Sequence, residues 1–211
     1  MRGLLILAAL VAWRWYQEKA GGALGGRTVE AINAFKAKLA KVAKEVEAAT
    51  GISARLGIYQ ASLESGYGGS ELSRPTAKLT ILPSNTVGPA NNIFGFKTGE
   101  AWIKAGRPYV MMPTWDYYRK GQKMPNGEIA TKDGQALKWP SPFRAYASWD
   151  DSYRDWARLL QTPTYVADGT LTAVKKDALE EFGKALGIHY APNQNYASRL
   201  AARAKEMGDV A

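Results

Sequence analysis

A single glutamate at the end of an apolar stretch is the strongest chemical signal in the sequence. Glu64 lies in the string ASLESGYG, where an apolar helix is predicted to end at a glycine turn. The negative end of a helix dipole disfavours a carboxylate, and burial beside aromatic side chains adds to that effect, so both raise its pKa. A carboxylic acid that is protonated near neutral pH can protonate a glycosidic oxygen. A solvated helix-end glutamate fits the same pattern, and spacing alone does not decide between the two.

Other common catalytic arrangements find little support in the composition. The chain has 211 residues, no cysteine and one histidine, His189. Disulfides, thiol nucleophiles and thiolate metal sites are therefore excluded, and no Gly-x-Ser-x-Gly motif precedes His189 to form a hydrolase triad. We expect His189 to be a loop or core residue, and we expect neither a metal nor a cofactor.

The charge balance is basic. The sequence has 28 Lys and Arg residues against 19 Asp and Glu, a formal net charge of +9, with 46% hydrophobic residues that can bury an ordinary core. Such a charge favours polyanionic surroundings such as cell wall, anionic lipid or nucleic acid. Because no zinc-finger spacing, aromatic RNP motif or basic heptad region accompanies it, nucleic acid is not the expected partner.

The first 27 residues differ in character from the rest. Residues 3–13 are uncharged and apolar, but as a helix they reach only about 16 Å, against about 30 Å of bilayer hydrocarbon. We interpret residues 1–19 as an apolar helix, either an uncleaved membrane anchor or a segment packed on partner subunits such as virion proteins. Residues 20–27 contain four glycines and predict a flexible linker, so the domain is expected to span residues 28–211.

Helical patterns begin directly after the linker. Apolar residues recur every three or four positions from the cap Thr28 to Gly51, which predicts a long amphipathic helix. A second helix is predicted from the cap Ser53 to Gly66, with Glu64 in its last turn. Further helices are predicted after Ser148, around Val174–Leu186 and from Asn195 to Met207.

The middle of the chain has a different pattern. Turn pairs such as Asn126-Gly127 and β-prone runs at residues 109–112 and 143–146 predict a small β-lobe between the helices. The fold class is therefore α+β, mostly helical.

Five short strings then point to one family. They are ASLESGYGGS from Ala61, NNIFGFK from Asn91, TWDY from Thr114, FRAY from Phe143 and YASRL from Tyr196. In this order they resemble glycoside hydrolase family 73, which comprises bacterial autolysins, flagellar peptidoglycan hydrolases and phage lysins. The resemblance covers nearly everything after the linker, from about Val29 to Met207.

The resemblance implies a lysozyme-like fold and endo-β-N-acetylglucosaminidase activity on peptidoglycan glycan strands. Glu64 matches the general acid of the family, and Tyr196 matches a tyrosine that its members hold near the cleft. Asp116 stands where many members carry a glutamate of the β-lobe, and Glu128 is the fallback for that role. The sequence departs from the family in an insertion at residues 73–90 and in the string PNQN before Tyr196.

A sugar groove needs flat aromatic faces for the rings and amides or hydroxyls for the N-acetyl groups. The NNIFGFK string resembles the loop that lines this groove, although a buried turn with Phe94 and Phe96 in the core fits it equally well. The residues predicted to bind substrate are Tyr67, Asn92, Phe94, Trp102, Tyr118 and Tyr146.

Other functions share the same signals. A lysozyme or lytic transglycosylase has the same fold but cuts the other glycosidic bond, and a non-catalytic wall-binding component of a virion or envelope assembly would need the fold alone. The expected location is the cell envelope, on the periplasmic side of a membrane, or a virion.

Overall fold

The computed structural model of the protein describes residues 28–190 and 195–210. The apolar helix and anchor expected in residues 1–19, the linker at 20–27 and the PNQN string at 192–195, apart from its last residue, lie outside the described residues. None of the described helices is long and apolar enough to cross a membrane. The first of them begins two residues after the predicted linker ends.

Helix α1 spans Val29–Thr50 and has the ends that the sequence predicts. The Thr28 hydroxyl accepts a hydrogen bond from the Ala31 amide at 3.3 Å, and Gly51 ends the helix with φ of 71°. Its buried side chains recur every three or four residues, at Ile32, Phe35, Leu39, Val42, Ala43 and Val46. The predicted amphipathic helix is confirmed.

Helix α2 spans Ala54–Ser65 and lies at the centre of the core. The Ser53 hydroxyl caps it by accepting from the Leu56 amide at 3.2 Å, and Gly66 ends it with φ of 57°. Every residue from Leu56 to Ser65 is buried, including the polar Gln60, Ser62, Glu64 and Ser65. The sequence predicts the ends of α2 correctly, whereas its burial on all sides depends on elements distant in the chain.

One antiparallel sheet forms the predicted β-lobe. Its strands are β1 Leu79–Leu82, β2 Thr86–Gly88, β3 Tyr109–Tyr118 and β4 Gln135–Arg144, in the order β2-β1-β3-β4. Strands β3 and β4 form a long hairpin in continuous register, with Tyr109 opposite Arg144 and Tyr118 opposite Gln135. The β-lobe is therefore confirmed and larger than predicted, because β1 and β2 occupy the segment interpreted as an insertion.

Helices follow the sheet, and one short helix lies within its sequence. They are α3 Glu100–Lys104, α4 Trp149–Leu160, α5 Pro163–Ala167, α6 Thr170–Lys175, α7 Leu179–His189 and α8 Tyr196–Met207. Helices α4 and α8 confirm the predictions made from Ser148 and Asn195. A mostly helical fold with one small sheet confirms the α+β class.

The single helix predicted around Val174–Leu186 is wrong. The chain leaves the helical conformation between α6 and α7, where Asp177 has φ of 54°. The Asp177 carboxylate accepts a hydrogen bond from the Ser53 hydroxyl at 2.6 Å and also pairs with Arg55. Contacts to the beginning of α2 thus override the helical periodicity of this segment.

Aromatic side chains pack around α2. Phe94 stacks on Trp156 with ring centroids 5.3 Å apart, and Tyr153 contacts the Trp156 ring at 5.1 Å. Gly57 in α2 permits this packing, because a Cβ atom there would lie 1.9 Å from the Tyr153 hydroxyl oxygen and 2.8 Å from the Trp156 ring. The position of α2, the helix that carries Glu64, therefore depends on the absence of a side chain at Gly57.

Gly57→Ala should destabilise the fold, because the added methyl group overlaps Tyr153 and forces the core to shift. Overpacking of this kind costs about 1 to 3 kcal/mol, which for a domain of this size lowers Tm by about 2 to 12 °C. Gly99→Ala is the matched control, since a Cβ atom there meets no atom within 4 Å. Thermal denaturation followed by circular dichroism measures both, and equal Tm values for the two variants would contradict this packing.

Candidate active site

The Glu64 carboxyl group is buried in the last turn of α2, with 5% of the residue exposed. Its Oε1 atom accepts a hydrogen bond from the Tyr196 hydroxyl, with the oxygens 2.6 Å apart. Tyr196 is the first residue of α8 and is itself buried. Two residues that lie 132 positions apart in the chain therefore meet in the core, and both belong to the predicted site.

Burial controls the chemistry of this carboxyl group. Loss of solvent is the largest influence on Glu64 and raises its pKa to about 7. The hydrogen bond from Tyr196 and the positive charge of Arg199 both lower the pKa, but they offset only part of that effect. The result is a carboxylic acid that is partly protonated at neutral pH, which is the state a proton donor needs.

A buried amide supports this pair from the same helix. Gln60 lies one turn before Glu64 and is fully buried, and its Oε1 accepts a hydrogen bond from the Trp156 indole at 2.8 Å. Its side chain also lowers the pKa of Tyr196. Within the described residues the Gln60 Nε2 group has no hydrogen-bond partner.

Asp116 occupies the β-lobe, on β3, and is nearly buried. One carboxylate oxygen lies 2.5 Å from the Lys97 ammonium nitrogen, and the other accepts a hydrogen bond from the Ser141 hydroxyl at 3.1 Å. Burial lowers the pKa of Lys97, and the charge of Asp116 opposes that shift. The carboxylate is therefore held in place by one partner on each oxygen.

A cleft of about 980 Å³ opens beside these groups. Its walls come from the NNIFGFK segment, α3, the β3–β4 hairpin and α4, and its lining includes Lys97, Trp102, Arg107, Asp116, Tyr118, Lys123, Arg144 and Tyr190. Glu64 is not part of this lining. Two tyrosines link it to the cleft: Tyr196 donates a hydrogen bond to Glu64, and the Tyr196 ring lies 6.2 Å from the ring of Tyr190, which is part of the lining.

Comparison with known proteins identifies the family. The sequence model for glucosaminidases, described as mannosyl-glycoprotein endo-beta-N-acetylglucosaminidase, matches residues 40–209. The chain belongs to the glucosaminidase family. This match confirms the resemblance to glycoside hydrolase family 73 that the five short strings of the sequence indicate.

Relatives of the chain are named as a peptidoglycan hydrolase and an autolysin. The chain is 26% identical over 173 residues to the peptidoglycan hydrolase FlgJ of Pseudomonas aeruginosa. This alignment covers 82% of this chain and 36% of that protein. It is 29% identical over 136 residues to an autolysin of Enterococcus faecalis, covering 63% of this chain and 14% of that protein. The chain thus spans less than half the length of these relatives.

Solved structures share the fold of this glucosaminidase. The catalytic domain of the autolysin Auto from Listeria monocytogenes aligns with a TM-score of 0.60 at 21% identity, covering 92% of this chain and 93% of that one. The truncated glycoside hydrolase domain of FlgJ from Salmonella typhimurium aligns with a TM-score of 0.53 at 25% identity, covering 83% and 97%. The predicted fold is thereby supported at the level of architecture.

Two residues expected to bind substrate in this glucosaminidase are core residues. The Phe94 ring has no exposed surface. The Asn92 amide donates to the carbonyls of Phe96 and Arg144 and accepts from the Phe96 amide, so its polar atoms are already engaged. Their burial favours the alternative of a buried turn for this string, and a role of Asn92 and Phe94 in substrate binding stays a prediction.

The other four predicted substrate-binding residues divide into two pairs. Trp102 and Tyr118 line the cleft and stay predictions, although only Trp102 is partly exposed, because Tyr118 is buried against Met124 and Ala130. Tyr146 is nearly buried and donates its hydroxyl hydrogen to Asp155 at 2.7 Å. Tyr67 is nearly buried against Phe35, with their ring centroids 5.7 Å apart. Packing explains both of these tyrosines without a substrate.

Several residues of the site escape the sequence analysis. Gln60 precedes Glu64 by four positions, and this spacing places both residues on one face of a helix. That spacing is the one feature of the sequence that points to Gln60 as a site residue. Lys97 and Arg199 lie inside the quoted family strings, but nothing local predicts their neighbours. Glu128 is exposed in the β3–β4 connection and bonds to Asn126, apart from the cleft lining, so its fallback role is untested.

The raised pKa of Glu64 predicts a pH-dependent loss of stability. Its folded value of about 7 lies above the ordinary 4.5, so the stabilising protonated form is fully present below pH 4.5 and is lost as the pH rises through 7. Glu64→Gln removes this penalty and should gain up to about 3 kcal/mol relative to the unaltered chain between about pH 4 and pH 8. Denaturant unfolding at several pH values measures the difference, with the exposed Glu128→Gln as control. A stability difference that does not change with pH would contradict the assignment.

Proposed function

We propose that this member of the glucosaminidase family hydrolyses the β-1,4 glycosidic bonds of peptidoglycan glycan strands as an endo-β-N-acetylglucosaminidase, with Glu64 as the general acid. The observation that carries the proposal is the buried Glu64 carboxyl group, whose pKa of about 7 makes it a proton donor at neutral pH. The family match supports a glycosidase, and relatives named as peptidoglycan hydrolases support the polymer.

In the proposed first step, Glu64 transfers its proton to the glycosidic oxygen while the bond between that oxygen and the anomeric carbon breaks. The bonding electron pair leaves with the oxygen, which the proton neutralises, and positive charge develops on the sugar. Tyr196 assists because its hydroxyl already donates to Glu64 Oε1 and so stabilises the carboxylate that forms. The nearby charge of Arg199 acts in the same direction.

Asp116 is the proposed second carboxylate. It lines the cleft from the β-lobe, and Lys97 and Ser141 orient it, which leaves acceptor capacity on a group with about four lone-pair sites. A carboxylate about 5 to 5.5 Å from the acid suits a covalent nucleophile, and one about 6.5 to 9.5 Å away suits a base that activates water. The N-acetyl group of the substrate is the alternative nucleophile if neither geometry applies.

The proposed location is the cell envelope, where the substrate is found. Residues 1–19 would hold the enzyme at a membrane or on virion proteins, and residues 20–27 would let the domain at 28–211 reach the wall. These assignments rest on the sequence pattern alone.

Glu64→Gln should remove activity and leave the fold intact. The amide keeps the size of the side chain and can still accept from Tyr196, but it has no proton to transfer, so turnover should fall by about two to four orders of magnitude. Digestion of purified peptidoglycan, followed by reduction and mass spectrometry of the products, measures both the rate and the bond that is cut. Activity within tenfold of the unaltered chain would refute Glu64 as the acid.

The same product analysis separates the alternatives. Reduced N-acetylglucosamine ends support the proposed bond, reduced N-acetylmuramic acid ends indicate a lysozyme, and 1,6-anhydro ends indicate a lytic transglycosylase. Binding to the wall without release of any reducing end indicates a non-catalytic wall-binding protein.

Asp116→Asn should lower turnover by about two to three orders of magnitude if Asp116 participates directly. Asp209→Asn is the matched control, because Asp209 is exposed and lies outside the cleft lining, and it should change turnover by less than about threefold. Both variants are assayed on peptidoglycan after thermal denaturation has verified that they fold, because Asp116→Asn deprives Lys97 of its charged partner. A loss below about tenfold would reduce Asp116 to a cleft-lining residue and would point to Glu128, Tyr196 or the N-acetyl group of the substrate.

A further inference from the structure

The cleft contains more positive charge than a neutral sugar chain requires. Four cationic side chains and two carboxylates line it. Lys97 pairs with Asp116 and Arg144 pairs with Asp155, each at 2.5 Å. Arg107 and Lys123 remain, and in residues 28–190 and 195–210 neither forms an ion pair. Two uncompensated positive charges therefore face the cleft.

Arg107 is held in place before any ligand binds. Its guanidinium carbon lies 4.9 Å from the centroid of the Trp102 ring, a cation–π contact. The Trp102 indole is itself anchored, because its Nε1 donates to the Pro108 carbonyl at 2.8 Å. This arrangement restricts the guanidinium to the cleft wall without neutralising its charge, as a preorganised anion site requires.

The remaining cation comes from another segment of the wall. Lys123 lies in the connection between β3 and β4, whereas Arg107 lies between α3 and β3. The guanidinium of Arg144 lies 4.8 Å from the same Trp102 ring, and its Nε atom is buried without a hydrogen-bond partner among the described residues. Donors from three places thus converge on one cleft, where a ligand with anionic oxygens would satisfy them.

From this charge pattern we infer that the cleft binds a carboxylate on the peptide stem that peptidoglycan strands carry on alternate sugars. The inference rests on the proposed function, because the glycan bound at Glu64 would bring its own substituents into the adjoining cleft. A neutral glycan offers these cations only hydroxyl and amide groups, whereas the stem peptide offers carboxylates. The cleft would therefore distinguish peptide-bearing strands from a neutral chain of N-acetylglucosamine units.

Binding measurements on Glu64→Gln protein test this inference, because this variant should not consume the ligand. Three ligands are compared: a glycan fragment with its stem peptides, the same fragment with the carboxylates converted to amides, and a neutral oligomer of N-acetylglucosamine of the same number of sugars. Titration below about 0.1 M salt, where the Debye length is about 10 Å or more, retains the electrostatic contribution. Tryptophan fluorescence reports binding, since Trp102 lines the cleft.

The double variant Arg107→Gln, Lys123→Gln should weaken binding of the native peptide-bearing fragment by about threefold to thirtyfold and change the other two ligands by less than about twofold. The matched control Lys44→Gln, Lys176→Gln removes the same charge from exposed positions elsewhere and should change no ligand by more than about twofold. Equal losses for all three ligands would mean that these residues contact the sugars or the peptide without reading its charge, which overturns the inference.

Equal affinity of the unaltered cleft for the native and the amidated fragment would overturn it as well. Failure of the proposed function is a separate result, in which the unaltered chain does not cleave peptidoglycan. The ratio of the binding constants for the native and the amidated fragment still decides whether the cleft prefers carboxylates. If Glu64→Gln does not fold, the same titrations use the unaltered chain at about pH 9, where a carboxyl group with a pKa of about 7 is ionised and cannot donate a proton.

Discussion

The Glu64 carboxyl group exchanges water for a hydrogen bond from Tyr196, and much of the fold serves that exchange. Desolvation disfavours its charged form more than Tyr196 and Arg199 favour it, so the proton is retained to about pH 7. This balance requires α2 to be buried on every side, which α1, α4 and α8 achieve by packing against it or its neighbours. It also requires the approach of Tyr153 and Trp156 that Gly57 permits. The site is therefore maintained at a cost in stability, as buried ionisable groups in active sites commonly are.

The electrostatic surroundings of Asp116 in the β-lobe are opposite to those of Glu64. Asp116 is also buried, but it has a charged partner and a hydroxyl donor, so the two carboxyl groups that we propose for the site lie in contrasting surroundings. Such a contrast lets one group donate a proton while the other acts as a negative charge. The cleft carries two further cations, Arg107 and Lys123, which have no ion-pair partner in the part of the chain that the structure describes, and on them rests the anion binding that we infer.

Local signals explain which parts of the molecule the sequence predicts. Thr28, Ser53 and Ser148 cap helices through contacts within three residues, and Gly51 and Gly66 end them, so these boundaries can be read directly. Asp177 shows the limit, because its contact with Ser53 joins residues 124 positions apart and interrupts a helix that periodicity favours. Strands β1 and β2 were missed for a related reason, since short strands next to turns have little pattern of their own. For the site, family strings name Glu64, Asp116 and Tyr196, but the hydrogen bond between Glu64 and Tyr196 and the pairing of Asp116 with Lys97 depend on tertiary folding.

The most direct test of this account is the titration of Glu64 itself. Carbon-detected NMR of protein labelled at the glutamate side-chain carboxyl carbon, compared with Glu64→Gln to assign the resonance, gives its pKa without reference to any substrate. The account predicts a midpoint near 7, and a higher one in Tyr196→Phe, because that hydrogen bond lowers the pKa. A midpoint near the ordinary value of 4.5 would contradict the claim that burial makes Glu64 a proton donor.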